Sequence, residues 1–546
     1  MSEVLSAKQL SIEFQDGSFK VHPVDIHLNR GEILSIIGES GSGKSTLVKA
    51  LTHLNAANAV VHGSVQLCGK DLYIISEKER TQMRMHQFAI AMQNSRELLN
   101  PMLTVRSQLN EVLVKKYSGQ EKELRLKKLI ELTTFPAEAL DNFPSELSGG
   151  MVQKVLLMSA ISLHPDVVLL DEPTSALDHD SAMAVTRMIQ KIHQEEGTSF
   201  LIITHDLQFA LDISSRVMVF YEGSLVEEGP TQKVFYAPHH PYTRGLFQSS
   251  MDINPYRDIW GIRKTRKDAP VPPQGCPFYG RCHQCIDICR TNRPAAQKWG
   301  EDETWKVACN RGGIVKILEG TNVSKSFAKH KVLEGLDLHI YSAEVVALVG
   351  PSGSGKSTLA HILSGVITPD TGTILYDGAE ADFSKLHRIF GGMQIVRQDP
   401  DTALNPNMTV LDAITEPLII NVPKMNMEAQ ALDLLDDVGL ENGKELLHSP
   451  VRRLSGGQKQ KVMLARALSM KPKLLIADEV TSMLDASGKA NLLRLLKSIQ
   501  NSHGLSMLFI THDYNSALKI SDRIYRMDSF GVIREVAMQT AQQIHL

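Results

Sequence analysis

Two glycine-rich stretches, GESGSGKS at 38–45 and GPSGSGKS at 350–357, are the parts of this sequence best suited to chemistry. Their glycines let successive backbone N–H groups curl around phosphate oxygens, and a following helix N-terminus would add positive potential. Lys44 and Lys356 would meet the β and γ phosphates of a nucleotide, and Ser45 and Ser357 offer Mg2+ the hard oxygen it requires. The residues expected to cradle nucleotide are Gly38, Glu39, Ser40, Gly41, Ser42, Gly43, Lys44, Ser45 and Thr46 in the first stretch. In the second they are Gly350, Pro351, Ser352, Gly353, Ser354, Gly355, Lys356, Ser357 and Thr358. Farther along, VVLLDE (167–172) and LLIADE (474–479) each end an apolar run on two acids. Asp171 and Asp478 are suited to hold Mg2+ through water, and Glu172 and Glu479 to polarise an attacking water as general bases.

These groups need elements that hold them, and the pattern around them supplies one arrangement twice. GEILSIIGESGSGKSTL (31–47) matches AEVVALVGPSGSGKSTL (343–359), and later landmarks return in the same order. Lys44 and Lys356 are 312 residues apart, while Asp171 with Asp478 and His205 with His512 are each 307 apart, which marks duplicated domains. Apolar runs at 33–37, 167–170 and 199–203 end at polar turns, as strands of a buried parallel sheet do. The helices after the glycine turns carry apolar stripes (Leu47, Leu51, Leu54; Leu359, Ile362, Leu363, Val366) expected to face the core. The expected organisation is an α/β domain at 1–253, a Pro/Cys-rich linker at 254–313 and a second α/β domain at 314–546. The chain has 546 residues, 42% hydrophobic and 22% charged, which suits more than one globular core. No apolar run reaches the roughly 20 residues that span a bilayer, and the first residues lack the order of a secretory signal, so the expected location is cytosolic. A formal charge of −3 argues against general nucleic-acid binding, with RKTRK at 263–267 as one basic patch.

A phosphate loop with an acidic strand occurs in many nucleotide hydrolases. LSGGM at 147–151 and LSGGQ at 454–458 narrow the field, because with this spacing they resemble the signature of the ATP-binding-cassette (ABC) superfamily. The resemblance implies two tandem ABC nucleotide-binding domains, each with a RecA-like parallel-sheet core and a helical subdomain, acting as an ATPase with ATP and Mg2+. It also implies that the two cassettes face each other head to tail. One site would then join Lys44, Ser45, Asp171, Glu172 and His205 with Ser455, Gly456 and Gly457; the other joins Lys356, Ser357, Asp478, Glu479 and His512 with Ser148, Gly149 and Gly150. His205 and His512 would contact the γ-phosphate, and Gln93 and Gln398 fit the glutamine loop that senses Mg2+ and the nucleophilic water. An aromatic ring upstream of the phosphate loop stacks on adenine in this family; Phe327 fits, and Phe14 is preferred to Phe19 in the first half.

Within the superfamily, NPMLTV (100–105), LNPNMTV (404–410) and HPYTRGLF (240–247) resemble the importer ATPases for peptides, nickel and related small solutes. Such an ATPase would sit peripherally on the cytoplasmic face of the inner membrane. Its partners would be two transmembrane permease subunits and an extracytoplasmic solute-binding protein, with one chain as the functional unit and no nucleic acid. A two-cassette ATPase acting on ribosomes or nucleic acid is the alternative; translation factors of that kind join their cassettes by a charged helical linker, unlike this one. Cys276, Cys282, Cys289 and Cys309 match the four-cysteine pattern that follows some importer cassettes and can hold a 4Fe–4S cluster. Ligand type alone leaves zinc or a reduced, metal-free loop open as well. Cys285 is an additional thiol, Cys68 is expected to be buried and inert, and His239, His240 and His283 are expected to be exposed loop residues.

Overall fold

The computed structural model describes residues 2–536 apart from 18, 85, 92–94, 176, 251–260, 263–273, 301, 329, 387, 422–425, 441–442 and 483. The chain divides into two units: Met1–Asn254 with Arg266–Gly280 and Asp287–Gly313, and Pro255–Thr265 with Arg281–Ile286 and Ile314–Leu546.

In the first unit the apolar runs become strands without a solvent-facing side: Ile33–Ile37, Val167–Asp171 and Ser199–Thr204 are buried at every position. They pair in parallel, Ile33–Ile37 between Ser199–Thr204 and Arg216–Tyr221, and Val167–Asp171 between Phe88–Ala91 and Ser199–Thr204. All their carboxyl ends therefore lie along one edge, where open α/β sheets bind ligands. A second, antiparallel sheet has the order Lys20–Asn29, Glu3–Phe14, Ala59–Leu67, Lys70–Asp71. One core cluster joins this sheet to the helix Lys44–Leu51 through Leu10, Ile12, Leu47 and Leu51. Another packs the helices Val105–Leu113, Gly119–Thr133 and Gly149–Ile161 through Leu109, Leu129 and Val155, and forms the helical subdomain. The apolar stripe stops with the helix, because Leu54 lies beyond Leu51 and is exposed; Val366, beyond Leu363, is exposed too.

The segment expected as a linker contributes to this unit. Gln297–Trp299 and Asp302–Val307 extend the parallel sheet through Ser224–Pro230, giving an eight-stranded order among the described residues. The join is held by Glu227, a carboxylate without solvent exposure. It accepts hydrogen bonds from the backbone N–H of His239 (2.8 Å) and His240 (2.9 Å) and from the Trp305 indole (2.9 Å). Burial still pushes its pKa up, so its hydrogen bonds offset only part of the desolvation. His240 is buried and its Nδ1 accepts from Tyr242 N (3.1 Å), capping the helix Pro241–Gln248; the expectation of an exposed loop histidine fails there because the ring is a helix cap. His239 is half-buried, its ring stacked on Trp299 at 4.1 Å.

The second unit repeats the plan. Its antiparallel sheet runs His330–Tyr341, Lys316–Phe327, Thr371–Tyr376, Ala379–Glu380. Its main sheet runs Met393–Val396, Leu474–Asp478, Ser506–Thr511, Val345–Val349, Arg523–Met527, Ile533–Val536, six strands among the described residues. A matching ion pair braces each main sheet, Arg216 with Glu32 (2.7 Å) and Arg523 with Glu344 (2.6 Å). Among the described residues no helix is long and apolar enough to cross a membrane.

Candidate functional site

Each phosphate loop leaves its strand through a glycine that no other residue could replace. Gly38 has φ +151°, and a Cβ there would lie 2.2 Å from the Phe220 carbonyl oxygen; at Gly350 it would lie 2.6 Å from that of Met527. The loop then folds over its own lysine. Lys44 Nζ donates to the carbonyls of Gly38 and Glu39 (2.9 Å each) and to Ser42 Oγ (3.2 Å). Lys356 Nζ donates to Gly350 O (2.9 Å) and Pro351 O (2.8 Å). Both ammonium groups are buried, and desolvation lowers both pKa values. A buried cation of this kind is completed by an anion, and the loop's own N–H groups favour phosphate.

The acidic strands bring the opposite charge to the same edge. Ser45 Oγ donates to Asp171 Oδ1 at 3.1 Å. Burial pushes Asp171 and Asp478 up, with Ser45 and Ser357 opposing the shift by hydrogen bonding. Asp478 Oδ1 is buried without a hydrogen-bond partner. Buried lysine beside buried carboxylate, serine hydroxyl and an unsatisfied carboxylate oxygen is a donor set that fits phosphate with Mg2+, which takes few protein ligands and keeps waters.

Glu172 and Glu479 follow directly, with φ +53° and +49°. Left-handed backbone at a residue with a Cβ is strained and persists only where its surroundings fix it. Here Glu172 N bonds to Ile203 O (2.8 Å) and Glu479 N to Ile510 O (3.0 Å), while Ser175 and Ser482 Oγ donate to the two glutamate carbonyls (2.9 Å each). The histidines come from the neighbouring strand ends: His205 Nδ1 is 3.1 Å from Glu172 Oε1, and His512 Nδ1 is 3.8 Å from Glu479 Oε2. Each unit therefore brings lysine, serine, aspartate, glutamate and histidine to one sheet edge.

The remaining candidates sit elsewhere. Ser148 and Ser455 are N-caps of the helices Gly149–Ile161 and Gly456–Ser469, accepting from Met151 N and Gln458 N (3.3 Å each). Gly149, Gly456 and Gly457 are exposed and Gly150 is half-buried, which leaves both helix N-termini open to a ligand. Gln398 is exposed just past Met393–Val396; Gln93 and RKTRK lie outside the described residues. Phe327 is exposed at the end of its strand, with Lys325 Nζ 5.7 Å from its ring centre. Phe14 and Phe19 are both half-buried against the antiparallel-sheet core, and Phe19 is the ring against the phosphate loop, 3.0 Å from where a Cβ on Gly43 would stand.

Of the four cysteines expected to hold a cluster, Cys276, Cys282 and Cys289 are buried and Cys309 is half-buried. Among the described residues no group of three or more His, Cys, Asp or Glu side chains is arranged to hold a metal ion. Burial, with the neighbouring Cys289 and Cys309, pushes the Cys276 thiol up to about 12. Cys68 is half-buried, its thiol pushed up to about 11 by burial and by Asp166. Sequence reasoning missed Tyr242, whose hydroxyl accepts the Glu39 N–H of the first phosphate loop at 2.9 Å.

Comparison with known proteins gives a consistent result. The family described as "ABC transporter" matches residues 21–175 and 333–482, and "Oligopeptide/dipeptide transporter, C-terminal region" matches 226–289. The glutathione import ATP-binding protein of Shigella dysenteriae serotype 1 is 32% identical over 98% of this chain and 86% of its own length. That of Escherichia coli K12 is 31% identical over the same shares. Among solved structures, a dimeric ATP-binding cassette in a post-hydrolysis state with ADP and Pi is 25% identical, covers 42% of this chain and 98% of its own, and has a TM-score of 0.38.

Proposed function

Since the chain belongs to the ABC transporter family and is an ATPase with two cassettes, we propose that it energises an importer for peptides or glutathione-like small solutes. The observation that carries this reading is the duplicated site together with the oligopeptide/dipeptide region at 226–289. Nickel and other metal chelates belong to the same solute class, but the names of the relatives favour a peptide-like cargo.

In the proposed cycle the cassettes close head to tail. Ser455, Gly456 and Gly457 cap the phosphate held by Lys44, and Ser148, Gly149 and Gly150 cap that held by Lys356. Helix N-termini without side chains suit such a cap, since backbone N–H groups reach a γ-phosphate unobstructed. Ser45 with Asp171, and Ser357 with Asp478, would hold Mg2+, which when bound neutralises charge on the β and γ phosphates. Glu172 and Glu479 orient and deprotonate the attacking water, and His205 and His512 hold the γ-phosphate by hydrogen bonding. Phe14 and Phe327 stack on adenine, with Phe19 buttressing the first loop; Gln398 and Gln93 report the state of the site to the membrane partner. ATP binding closes the pair and hydrolysis opens it, and the motion is passed to two permease subunits supplied by a solute-binding protein. The ATPase would then act from the cytoplasmic face of the membrane.

The test is affinity capture of the tagged full chain from detergent-solubilised membranes. Multi-spanning subunits and an extracytoplasmic binding protein are the expected companions. Ribosomal proteins or nucleic acid without membrane subunits would overturn the importer reading.

A further inference from the structure

We propose that Tyr242 is a positioning residue of the first ATP site: its hydroxyl fixes the backbone of Glu39 inside the phosphate loop, so nucleotide affinity at that site depends on the segment carrying Tyr242, and affinity at the second site does not. The inference rests on the assignment of residues 38–45 and 350–357 as nucleotide cradles.

The contact joins residues 203 positions apart in sequence, Glu39 N donating to Tyr242 Oη at 2.9 Å. Tyr242 is fully buried. Its ring lies 4.5 Å from that of Tyr221 and 5.7 Å, edge-on, from that of Phe278, and Phe278 also meets Tyr221 edge-on at 5.3 Å. The start of its helix is tied through the backbone N–H groups of His239 and His240 to buried Glu227. The hydroxyl is thus presented by a rigid support and spends little entropy in holding the loop. On its other side Glu39 acts on the site directly, because its carbonyl is one of the acceptors of Lys44 Nζ. One residue therefore stands between the tyrosine and the lysine.

The second cassette supplies the control. Pro351 occupies the place of Glu39 and has no N–H to donate, so the bond cannot form there. Pro351 otherwise does what Glu39 does, its carbonyl accepting Lys356 Nζ at 2.8 Å. The two loops share the lysine contacts and differ in the tether. The neighbours of Tyr242 extend the dependence: Phe278 is two residues from buried Cys276, so packing of the segment around Cys276 bears on the first site.

The experiment measures Mg2+-dependent binding of a fluorescent ATP analogue to the full chain carrying Lys356→Ala, which leaves the first site, or Lys44→Ala, which leaves the second. Tyr242→Phe should weaken binding about three- to tenfold in the first background, the worth of one hydrogen bond, and leave the second background unchanged. Glu39→Pro, which copies the second loop and leaves the packing of Tyr242 intact, should weaken the first site similarly; adding Tyr242→Phe to it should cost nothing more. Equal losses in both backgrounds, no loss in the first, or additive losses in the double variant would each overturn the proposal. Binding that survives Lys44→Ala and Lys356→Ala together would instead overturn the assignment of the cradles, and the proposal with it.

Discussion

The two cassettes are the same machine built under different constraints. Both end a buried strand on a glycine that a Cβ would drive into a neighbouring carbonyl, both bury a lysine against two loop carbonyls, and both hold a glutamate in left-handed backbone. They part at their margins. The first main sheet gains two strands from residues 297–307, its phosphate loop is tethered to Tyr242, and its signature helix has Met151 at the position where the second has Gln458. The lesson is that reacting groups and their immediate backbone tolerate little variation, whereas the frame around them is free to take on attachments.

The largest effect should come from what the cassettes share. Replacing Glu172 and Glu479 together by glutamine should lower ATP turnover about 10²- to 10⁴-fold, and each single replacement should lower it as well. Steady-state phosphate release reads this, and a single variant with unchanged turnover would break the equivalence of the two sites. Trp305→Ala should act on one cassette only. It removes a buried side chain and leaves Glu227 Oε1 without its indole donor, a loss of about 3–5 kcal/mol. Scanning calorimetry should show the first cassette's transition shifted down and the second's unmoved.

Gly223 and Gly531 return to the shared plan. A Cβ would stand 2.0 Å from Lys20 O in the first and 1.9 Å from Val332 O in the second, at φ +70° and +75°. Alanine at either should cost at least about 2 kcal/mol in urea unfolding, with similar losses sharpening the likeness. The smallest effect concerns the signature helices. Gln458 closes a capping box by accepting Ser455 N at 2.9 Å, which Met151 is chemically unable to do for Ser148. Gln458→Met should destabilise the second cassette by about 0.5–1 kcal/mol, and Met151→Gln should stabilise the first by a similar or smaller amount.

What the sequence disclosed and what it withheld follow from how far apart the cooperating residues lie. The phosphate loops, acidic strands and signature serines announce themselves because each is local: an apolar run, a turn and a helix within about fifteen residues. The strands at 297–307 hid behind charge and turn residues in QKWGEDETWKV, where only Trp305 and Val307 carry the period-two signal and the sheet edge faces solvent elsewhere. The buried histidine at 240 was concealed for a similar reason, since helix caps and loops favour the same polar residues. Tyr242 looked like part of a family segment and nothing more, because its partner lies at the far end of the cassette's sequence. Which of Phe14 and Phe19 meets the nucleotide depends on tertiary packing that spacing does not show: both rings pack against the antiparallel-sheet core, and the ring on Gly43 is Phe19.

The pairing of Asp302–Val307 with Ser224–Pro230 also sets a clock on biosynthesis. The strand at 224–230 leaves the ribosome roughly 70 residues before its outer neighbour does, an interval of about 4–14 s at ordinary elongation rates. Throughout it, Glu227 has neither the indole of Trp305 nor a strand to cover it. The nascent first cassette thus carries an open sheet edge with a carboxylate at its centre, which is itself a guard against edge-to-edge association with another chain. Only when the closing strand arrives is that charge sealed away, by which time translation is entering the second cassette.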